Sequence, residues 1–226
     1  MGARLYVIPG SHAARTGILL MEHKGLDCEL KEVLPGTQRL LRLRGFPGGT
    51  VPALVWDGRR VQTNIEIARF LDEVQPDPPL FPRDPKHRAA VEEVERWVDD
   101  VFQMDSRRLL FAGGLDWPGK LVNFGDDGRM GPLLWKSRGV RRNVFRLGIA
   151  AFKVNRETER KLLDRLPGHL DRMDAWVESG VLGGDELTAA DYSVAAHTAL
   201  LTYRGDLAPE IERRPVGRLV DRVLPA

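Results

Sequence analysis

The stretch Thr50-Val51-Pro52-Ala53-Leu54 is the part of the chain where residue types most strongly restrict the backbone. Proline has no N–H to give to a sheet ladder, so Pro52 is expected at the first position of a strand or at a sharp bend, in the second case with a cis peptide bond. Such a bend leaves neighbouring backbone N–H and C=O groups free to bind something else. The alternative is that Pro52 simply marks the entry to a strand.

Ser11 is a second candidate for a chemical role. It follows the apolar run Arg4–Ile8 and the turn Pro9-Gly10, and it precedes a helical pattern from Ala13 to Lys24. A serine at this place can cap the helix, and it also puts a hydroxyl donor at the positive end of the helix dipole. The sequence leaves both roles open.

The helices and strands that would position these residues are predicted from the periodicity of apolar residues and from the glycines, prolines and capping residues that end each element. Asp57-Gly58 predicts a hairpin turn after the Pro52 strand, and Asn64 predicts the cap of a helix that runs to about Leu71. Leu26–Val33 predicts a strand and Gln38–Arg44 a short helix. Together with the elements around Ser11, the predicted order is βαβαββα, which is the order of a thioredoxin-like domain.

A second, helical part is expected after a proline-rich stretch. Residues 75–85 contain five prolines and predict a linker, which places a thioredoxin-like thiol-binding domain at residues 1–74 and an all-helical domain at residues 86–226. Helical spacing predicts one long helix over His87–Phe111 and another over Glu157–Ser179, with a break or kink at Pro167. Thr188 and Asp191 form a capping-box pattern ahead of a helix.

Composition narrows the class of protein. With 226 residues, 42% hydrophobic and 29% charged, the sequence is typical of a soluble globular protein. The net charge of +2, from 34 basic and 32 acidic residues, does not favour a nucleic-acid partner. We expect no membrane partner and a cytoplasmic location, because no apolar stretch is long enough to span a bilayer and no secretory signal is recognisable.

Metal and disulfide chemistry are not expected either. Cys28 is the single cysteine, so no intramolecular disulfide is possible, and its neighbours predict a structural place in a strand. The five histidines never fall at a metal-ligand spacing, so no metal is predicted.

Three separated segments resemble the glutathione transferase superfamily. Tyr6–Ser11 followed by Arg15 is similar to the serine-type strand-to-helix turn of Delta and Theta enzymes, and Thr50–Leu54 is similar to their cis-proline segment. The Thr188–Asp191 capping box is similar to that of their helical domain. The resemblance implies a glutathione transferase fold, with glutathione as co-substrate and a homodimeric assembly.

The resemblance also implies roles for particular residues. Ser11 would be the catalytic residue, donating a hydrogen bond to the sulfur of glutathione and so lowering a thiol pKa that is normally about 8.5. The backbone of Val51 would bind the peptide portion of glutathione as one edge strand adds to another. The implied glutathione-binding residues are His12, Val51, Pro52, Thr63 and Asn64.

Two positions depart from the family pattern. Thr63 stands where relatives usually have Glu or Gln, so it cannot supply the acidic partner for the γ-glutamyl ammonium. Gly49 stands where some relatives place a histidine against the glycyl carboxylate, which leaves Arg39, Arg42 or Arg44 as substitutes.

The expected function is activation of the glutathione thiol for attack on a small apolar electrophile, as in detoxification. Between His12 and the long helix, the predicted electrophile pocket contains Met104, Arg108, Phe111 and Trp117; core packing is the alternative for Met104 and Phe111. The alternative function is a non-catalytic interaction or dimerisation module of the same fold, which the changes at Thr63 and Gly49 favour.

Overall fold

A four-stranded mixed sheet forms the N-terminal part of the computed structural model, which describes residues 2–122, 124, 129 and 137–225. Its strands are β1 (Ala3–Val7), β2 (Cys28–Glu32), β3 (Ala53–Trp56) and β4 (Arg59–Gln62), in the spatial order β2-β1-β3-β4. Strand β1 is parallel to β2 and antiparallel to β3, and β3 is antiparallel to β4.

The connections agree with the predicted βαβαββα order. Helix α1 (His12–His23) makes the crossover that parallel strands need, a 3-10 helix occupies Gln38–Arg44, and α2 (Asn64–Val74) follows β4. The hairpin between β3 and β4 turns at Asp57 and Gly58, which have φ values of 44° and 87°. Both are positive, as a two-residue hairpin turn of the primed type requires.

The remainder of the described chain is mostly helical. Its helices are α3 (Pro85–Trp97), α4 (Gln103–Gly113), α5 (Arg138–Ala151), α6 (Arg156–Glu178), α7 (Ala189–Thr202), α8 (Ala208–Arg213) and α9 (Pro215–Val223). A π-helical turn, Val98–Phe102, joins α3 to α4 without a break. The long helix predicted over His87–Phe111 is therefore present, but it begins at Pro85, ends at Gly113 and contains a turn that periodicity did not reveal.

Helix α7 is the centre of the helical part. Every residue from Ala189 to Leu201 is buried, and the helix packs against α1, α4 and α9. The predicted capping box is confirmed: Asp191 accepts hydrogen bonds from the backbone N–H of Thr188 at 2.7 Å and of Gly183 at 2.6 Å. This start to α7 is buried, so the cap also satisfies donors that water cannot reach.

The proline-rich stretch is fixed to both parts of the molecule. Residues 75–84 contain neither helix nor strand, while Pro85 is the first residue of α3. The buried ammonium group of Lys24 donates to the carbonyl oxygens of Gln75 and Pro78. The backbone N–H of Ala189 donates to the carbonyl of Leu80 at 2.9 Å, which ties the stretch to the start of α7.

The sequence predicts a break or a kink at Pro167; the break is wrong, because α6 continues through this residue from Arg156 to Glu178. Pro167 is exposed, so the carbonyl of Leu163 that loses its helical partner can be hydrated. The opposite face of α6 is held by Leu162, Leu166 and Leu170, all buried. Apolar packing on one side and hydration on the other make the proline tolerable here.

Neither a metal site nor a membrane span is found among the described residues. No group of three or more His, Cys, Asp or Glu side chains there could hold a metal ion. Within the same residues, no helix combines the length and apolar character needed to cross a bilayer.

Glu95 makes an ion pair between the two parts of the molecule. Its carboxylate lies 3.3 Å from Nη1 of Arg69 on α2, and the residue is 4% exposed. Burial raises the pKa of Glu95 to about 7, although the charge of Arg69 opposes that shift. Because the folded-state pKa lies above the unfolded value near 4.5, the folded protein binds a proton that the unfolded chain has lost between these pH values.

We therefore expect ionisation of Glu95 to reduce stability as the pH rises from about 4.5 to 7. The Glu95→Gln variant should gain free energy of unfolding relative to wild type over this range, by on the order of 2 kcal/mol. Urea unfolding of both proteins at several pH values measures the difference. Glu93→Gln, on the exposed side of α3, is the control, and a wild-type-like pH dependence in Glu95→Gln would contradict the expectation.

Candidate functional site

The sheet register brings the predicted site segments to one edge. Ala53 at the start of β3 pairs with Tyr6 near the end of β1 and with Gln62 at the end of β4. Ser11 follows β1, Pro52 precedes β3 and Thr63 follows β4. The three segments therefore lie on the same side of the sheet although they are separated along the chain.

Helix α1 contacts the other two segments directly through Gly17. A Cβ atom added to Gly17 would lie 3.0 Å from Cβ of Pro52 and 3.5 Å from Oδ1 of Asn64. Only a residue without a side chain allows this approach without displacing its neighbours. The close packing fixes the position of α1 against the Pro52 bend and the start of α2.

Ser11 is the N-cap of α1 and is half-buried. Its Oγ accepts a hydrogen bond of 3.4 Å from the backbone N–H of Ala14. The capping interpretation is thus confirmed, and it uses only an acceptor lone pair of the hydroxyl. The hydroxyl proton has no acceptor among the described residues, so donation to a ligand remains chemically available.

The Val51–Pro52 peptide bond is cis, as the proline bend predicted. Within the described part of the chain, neither the N–H nor the C=O of Val51 has a hydrogen-bond partner. Val51 is half-buried, whereas Pro52 is buried against α1. A half-buried residue with a free donor and acceptor can bind an extended peptide through the main chain.

The predicted cap of α2 needs correction. Thr63, not Asn64, is the N-cap: its Oγ1 accepts from the backbone N–H of Glu66 at 3.3 Å, and Asn64 is the first helical residue. The pattern Thr63-x-x-Glu66 is the start of a capping box and could have revealed this. Thr63 also has φ 72° and ψ 152°, a strained conformation for a β-branched residue.

Asn64 instead carries an unsatisfied acceptor. Its Oδ1 is buried and has no hydrogen-bond partner among the described residues. The side chain lines a cleft between α1, α2, α3 and α7, together with Thr16, Asp99, Gln103, Ser193 and His197. A buried carboxamide oxygen without a partner costs free energy unless a ligand or water satisfies it.

His12 lies differently from the prediction. Its side chain is 3% exposed and packs edge-on against His197, with ring centroids 4.4 Å apart. Burial, His197 and Arg107 together hold the pKa of His12 well below its usual value, and burial lowers the pKa of His197 to about 3. Both imidazoles are therefore neutral at physiological pH, and the ring of His12 belongs to the packing between α1 and α7.

Arg107 is the residue that sequence reasoning missed at this place. Its Nη2 lies 3.5 Å from Nε2 of His12 and 3.4 Å from Oε1 of Gln103. The prediction chose Arg108, which is also half-buried and whose Nε has no hydrogen-bond partner in the part of the chain that the structure describes. Helical periodicity alone cannot decide which of two adjacent arginines faces α1, because the π-helical turn just before them rotates the face of the helix.

The other predicted pocket residues lie in the helical part. Met104 and Arg108 are on α4, whereas Phe111 and Trp117 pack on the buried ring of Phe145, with centroid distances of 5.3 and 5.2 Å. Phe111 also stacks on Phe152 at 5.4 Å. Phe111 and Trp117 therefore belong to an aromatic cluster beneath α5, and their role towards a second substrate remains a prediction.

Three arginines of the 3-10 helix lie beside the Pro52 segment. A Cβ atom added to Gly49 would be 3.0 Å from Nε of Arg42, which donates to the carbonyl of Pro47. Arg44 donates to the hydroxyl of Tyr6, and Arg39 is exposed. Arg42 thus lies against Gly49, two residues before Val51.

Comparisons with known proteins agree with this architecture. A family model described as glutathione S-transferase, N-terminal domain, matches residues 5–79. FtsZ-localized protein A of Caulobacter vibrioides is 26% identical over 170 residues, which are 71% of this chain and 60% of that protein. Glutathione S-transferase L1 of Arabidopsis thaliana is 29% identical over 102 residues, 44% of this chain and 43% of that protein. The matched region is thus less than two thirds of either relative.

A solved structure extends the likeness to the whole chain. Beta-etherase LigF from Sphingobium sp. strain SYK-6 superposes with a TM-score of 0.72 at 22% identity, covering 100% of this chain and 96% of that one. The predicted fold, a thioredoxin-like domain followed by a helical part, is confirmed.

The corrected cap of α2 leads to a stability prediction. Thr63→Ala removes the hydroxyl that accepts from Glu66, so we expect the free energy of unfolding to fall by about 1 kcal/mol. Asn64→Ala removes no capping bond and should change it by less than about 0.5 kcal/mol. Urea unfolding of the two variants compares them, and the reverse order would restore Asn64 as the cap.

Proposed function

We propose that the chain is an enzyme of the glutathione transferase superfamily that binds glutathione and activates its thiol for attack on a small apolar electrophile, since residues 5–79 match the glutathione S-transferase N-terminal domain and the whole chain has the corresponding fold. One observation carries the proposal. The Ser11 hydroxyl at the start of α1 and the unpaired backbone of Val51 lie at the same edge of the sheet.

Ser11 would act on the sulfur. Its hydroxyl accepts from Ala14 and has its proton free, so it can donate to a thiolate while it caps α1. The positive end of α1 favours negative charge at the same place. Both effects lower the pKa of a bound thiol, which increases the thiolate fraction at neutral pH. The proton goes to solvent, and the thiolate then attacks the electrophilic carbon, so that the carbon–sulfur bond forms while the bond to a leaving group such as chloride breaks and the leaving group departs with the electron pair.

The peptide portion would bind across the Pro52 bend. Val51 offers one N–H and one C=O to the cysteinyl residue of glutathione, in the manner of an added strand. Asn64 lies on the α1 side of Pro52 with an unsatisfied oxygen, where an ammonium group of the γ-glutamyl moiety would be a suitable donor. Arg42, beside Gly49, would pair with the glycyl carboxylate.

The remaining parts of the proposal rest on the family resemblance. They are a homodimeric assembly, a cytoplasmic location and a role in detoxification. His12 would contribute through its packing on His197, which holds the N-terminus of α1 in place, since its ring is too buried to face a ligand.

A second candidate function is a non-catalytic module that binds another protein. Thr63 provides no carboxylate for the γ-glutamyl ammonium, and Gly49 provides no imidazole for the glycyl carboxylate. The similarity to FtsZ-localized protein A covers 71% of the chain and adds support to this candidate.

Calorimetric titration with glutathione, followed by a conjugation assay with a chloronitroaromatic electrophile, separates the two. The enzyme proposal expects saturable heat and turnover. Absence of both would favour the non-catalytic module.

For the enzyme, we expect Ser11→Ala to lower the conjugation rate by about 10- to 100-fold, because one hydrogen bond to a charged sulfur is lost. The apparent pKa of the bound thiol, followed by the ultraviolet absorbance of its thiolate, should rise. Ser11→Thr keeps a hydroxyl and should retain most of the rate. Urea unfolding of each variant separates this effect from loss of the cap, and an unchanged rate and thiol pKa in Ser11→Ala would rule out the role.

A further inference from the structure

Arg107 is a half-buried cation that forms no ion pair with a carboxylate of the described residues. No carboxylate oxygen of the described residues lies within 4.0 Å of its guanidinium, and its hydrogen-bonding contacts are His12 and Gln103. Asp99 is the nearest acid, but the carboxamide of Gln103 stands between them: it donates to Asp99 at 2.9 Å and accepts from Arg107. Burial removes part of the water around the guanidinium, which is unfavourable for its charge unless a counter-charge approaches.

Among the described groups nearest Arg107, the two imidazoles carry no charge, and Asp99 acts on the guanidinium only across the carboxamide of Gln103. His12 and His197 are neutral, since burial lowers the pKa of both. His197 donates from Nδ1 to the carbonyl of Ser193 at 2.6 Å, so its own charge is not needed for that bond. The positive end of α1 begins at His12, so two sources of positive potential meet at this point.

The other face of Arg107 is aromatic. Its guanidinium carbon lies 5.1 Å from the ring centroid of Phe152, which stacks on Phe111. One side of this guanidinium lies on an aromatic ring, and its N–H groups point towards the uncharged side chains of His12 and Gln103. A guanidinium in such surroundings is suited to bind a carboxylate through two hydrogen bonds. The rings beside it offer apolar surface to the body of the same ligand.

We propose that Arg107 selects organic anions, so that the second ligand of this protein is a compound with an aromatic or apolar body and a carboxylate group. The inference rests on the proposed function, because Arg107 contacts His12, which directly follows Ser11 in the chain. The carboxylate pairs with Arg107, and the body lies towards Phe152 and Phe111. Arg107 is a binding residue in this arrangement, with no part in proton transfer.

Binding of hydrocinnamate and hydrocinnamamide tests the preference for an anion. The two compounds are nearly equal in shape and unreactive towards thiols, and they differ in charge. Calorimetry should show that wild type binds the acid at least about tenfold more tightly than the amide. Arg107→Gln should remove the difference, and Arg107→Lys should retain part of it because the charge stays but the planar fork is lost.

The control is Arg160→Gln, which makes the same charge change on the exposed outer side of α6 and should keep the wild-type preference. Turnover adds a second readout: with ethacrynic acid, Arg107→Gln should raise KM at least about tenfold with little change in kcat, while KM for the methyl ester stays the same. Equal binding of acid and amide to wild type would overturn the inference, and this measurement needs no variant to fold.

Two further outcomes would also overturn it. Arg107→Gln could weaken acid and amide equally, or it could raise the pKa of the glutathione thiol while leaving the acid preference intact, in which case Arg107 serves the thiolate. Glutathione titration is scored separately. A chain that prefers the acid but gives no heat with glutathione keeps the anion site and loses the proposed transferase function.

Discussion

The close packing of α1 on two sides is the constraint on which the rest of the site depends. On one side Gly17 approaches Pro52 and Asn64 so closely that a Cβ atom would already be in tight contact. On the other side His12 packs on His197 of α7. A helix held on both sides cannot shift its N-terminus, so the Ser11 hydroxyl has a fixed position relative to the backbone of Val51. Preorganised donors of this kind lose little free energy when a ligand binds.

Burial at the junction of the thioredoxin-like and helical parts also determines which side chains there are charged. Burial against α7 makes the imidazoles of His12 and His197 neutral, and it raises the pKa of Glu95, whose partner Arg69 lies on α2. Arg107 stays charged, because a guanidinium is protonated at any physiological pH. At this junction Glu95 pairs with Arg69, whereas no carboxylate oxygen of the described residues lies within 4.0 Å of the Arg107 guanidinium; this difference is the basis of the preference for negative ligands that we propose.

Local signals in the sequence predicted the turns and most of the caps; the exception is α2, which is capped by Thr63 and not by Asn64. Asp57-Gly58 formed the expected hairpin, Pro52 the expected cis bend, and Thr188 with Asp191 the expected capping box. These features depend on residues within a few positions of one another, so a short sequence window is enough to predict them. The error at Pro167 has a different origin. Pro167 did not interrupt α6 because its helix face is exposed and the opposite face is packed, and burial of that kind is not visible in a local window.

The sequence by itself determined the order of elements, the bend at Pro52 and the hydroxyl at the start of α1, since each follows from the conformational limits of a few adjacent residues. Only the tertiary structure decided that Arg107 rather than Arg108 faces His12, which lies 95 residues away, and that His12 is buried rather than exposed to a ligand. Those outcomes depend on the rotation introduced by the π-helical turn and on contacts between distant helices. Neither the rotation nor these contacts can be recognised from the spacing of apolar residues, because both arise only when the helices pack together.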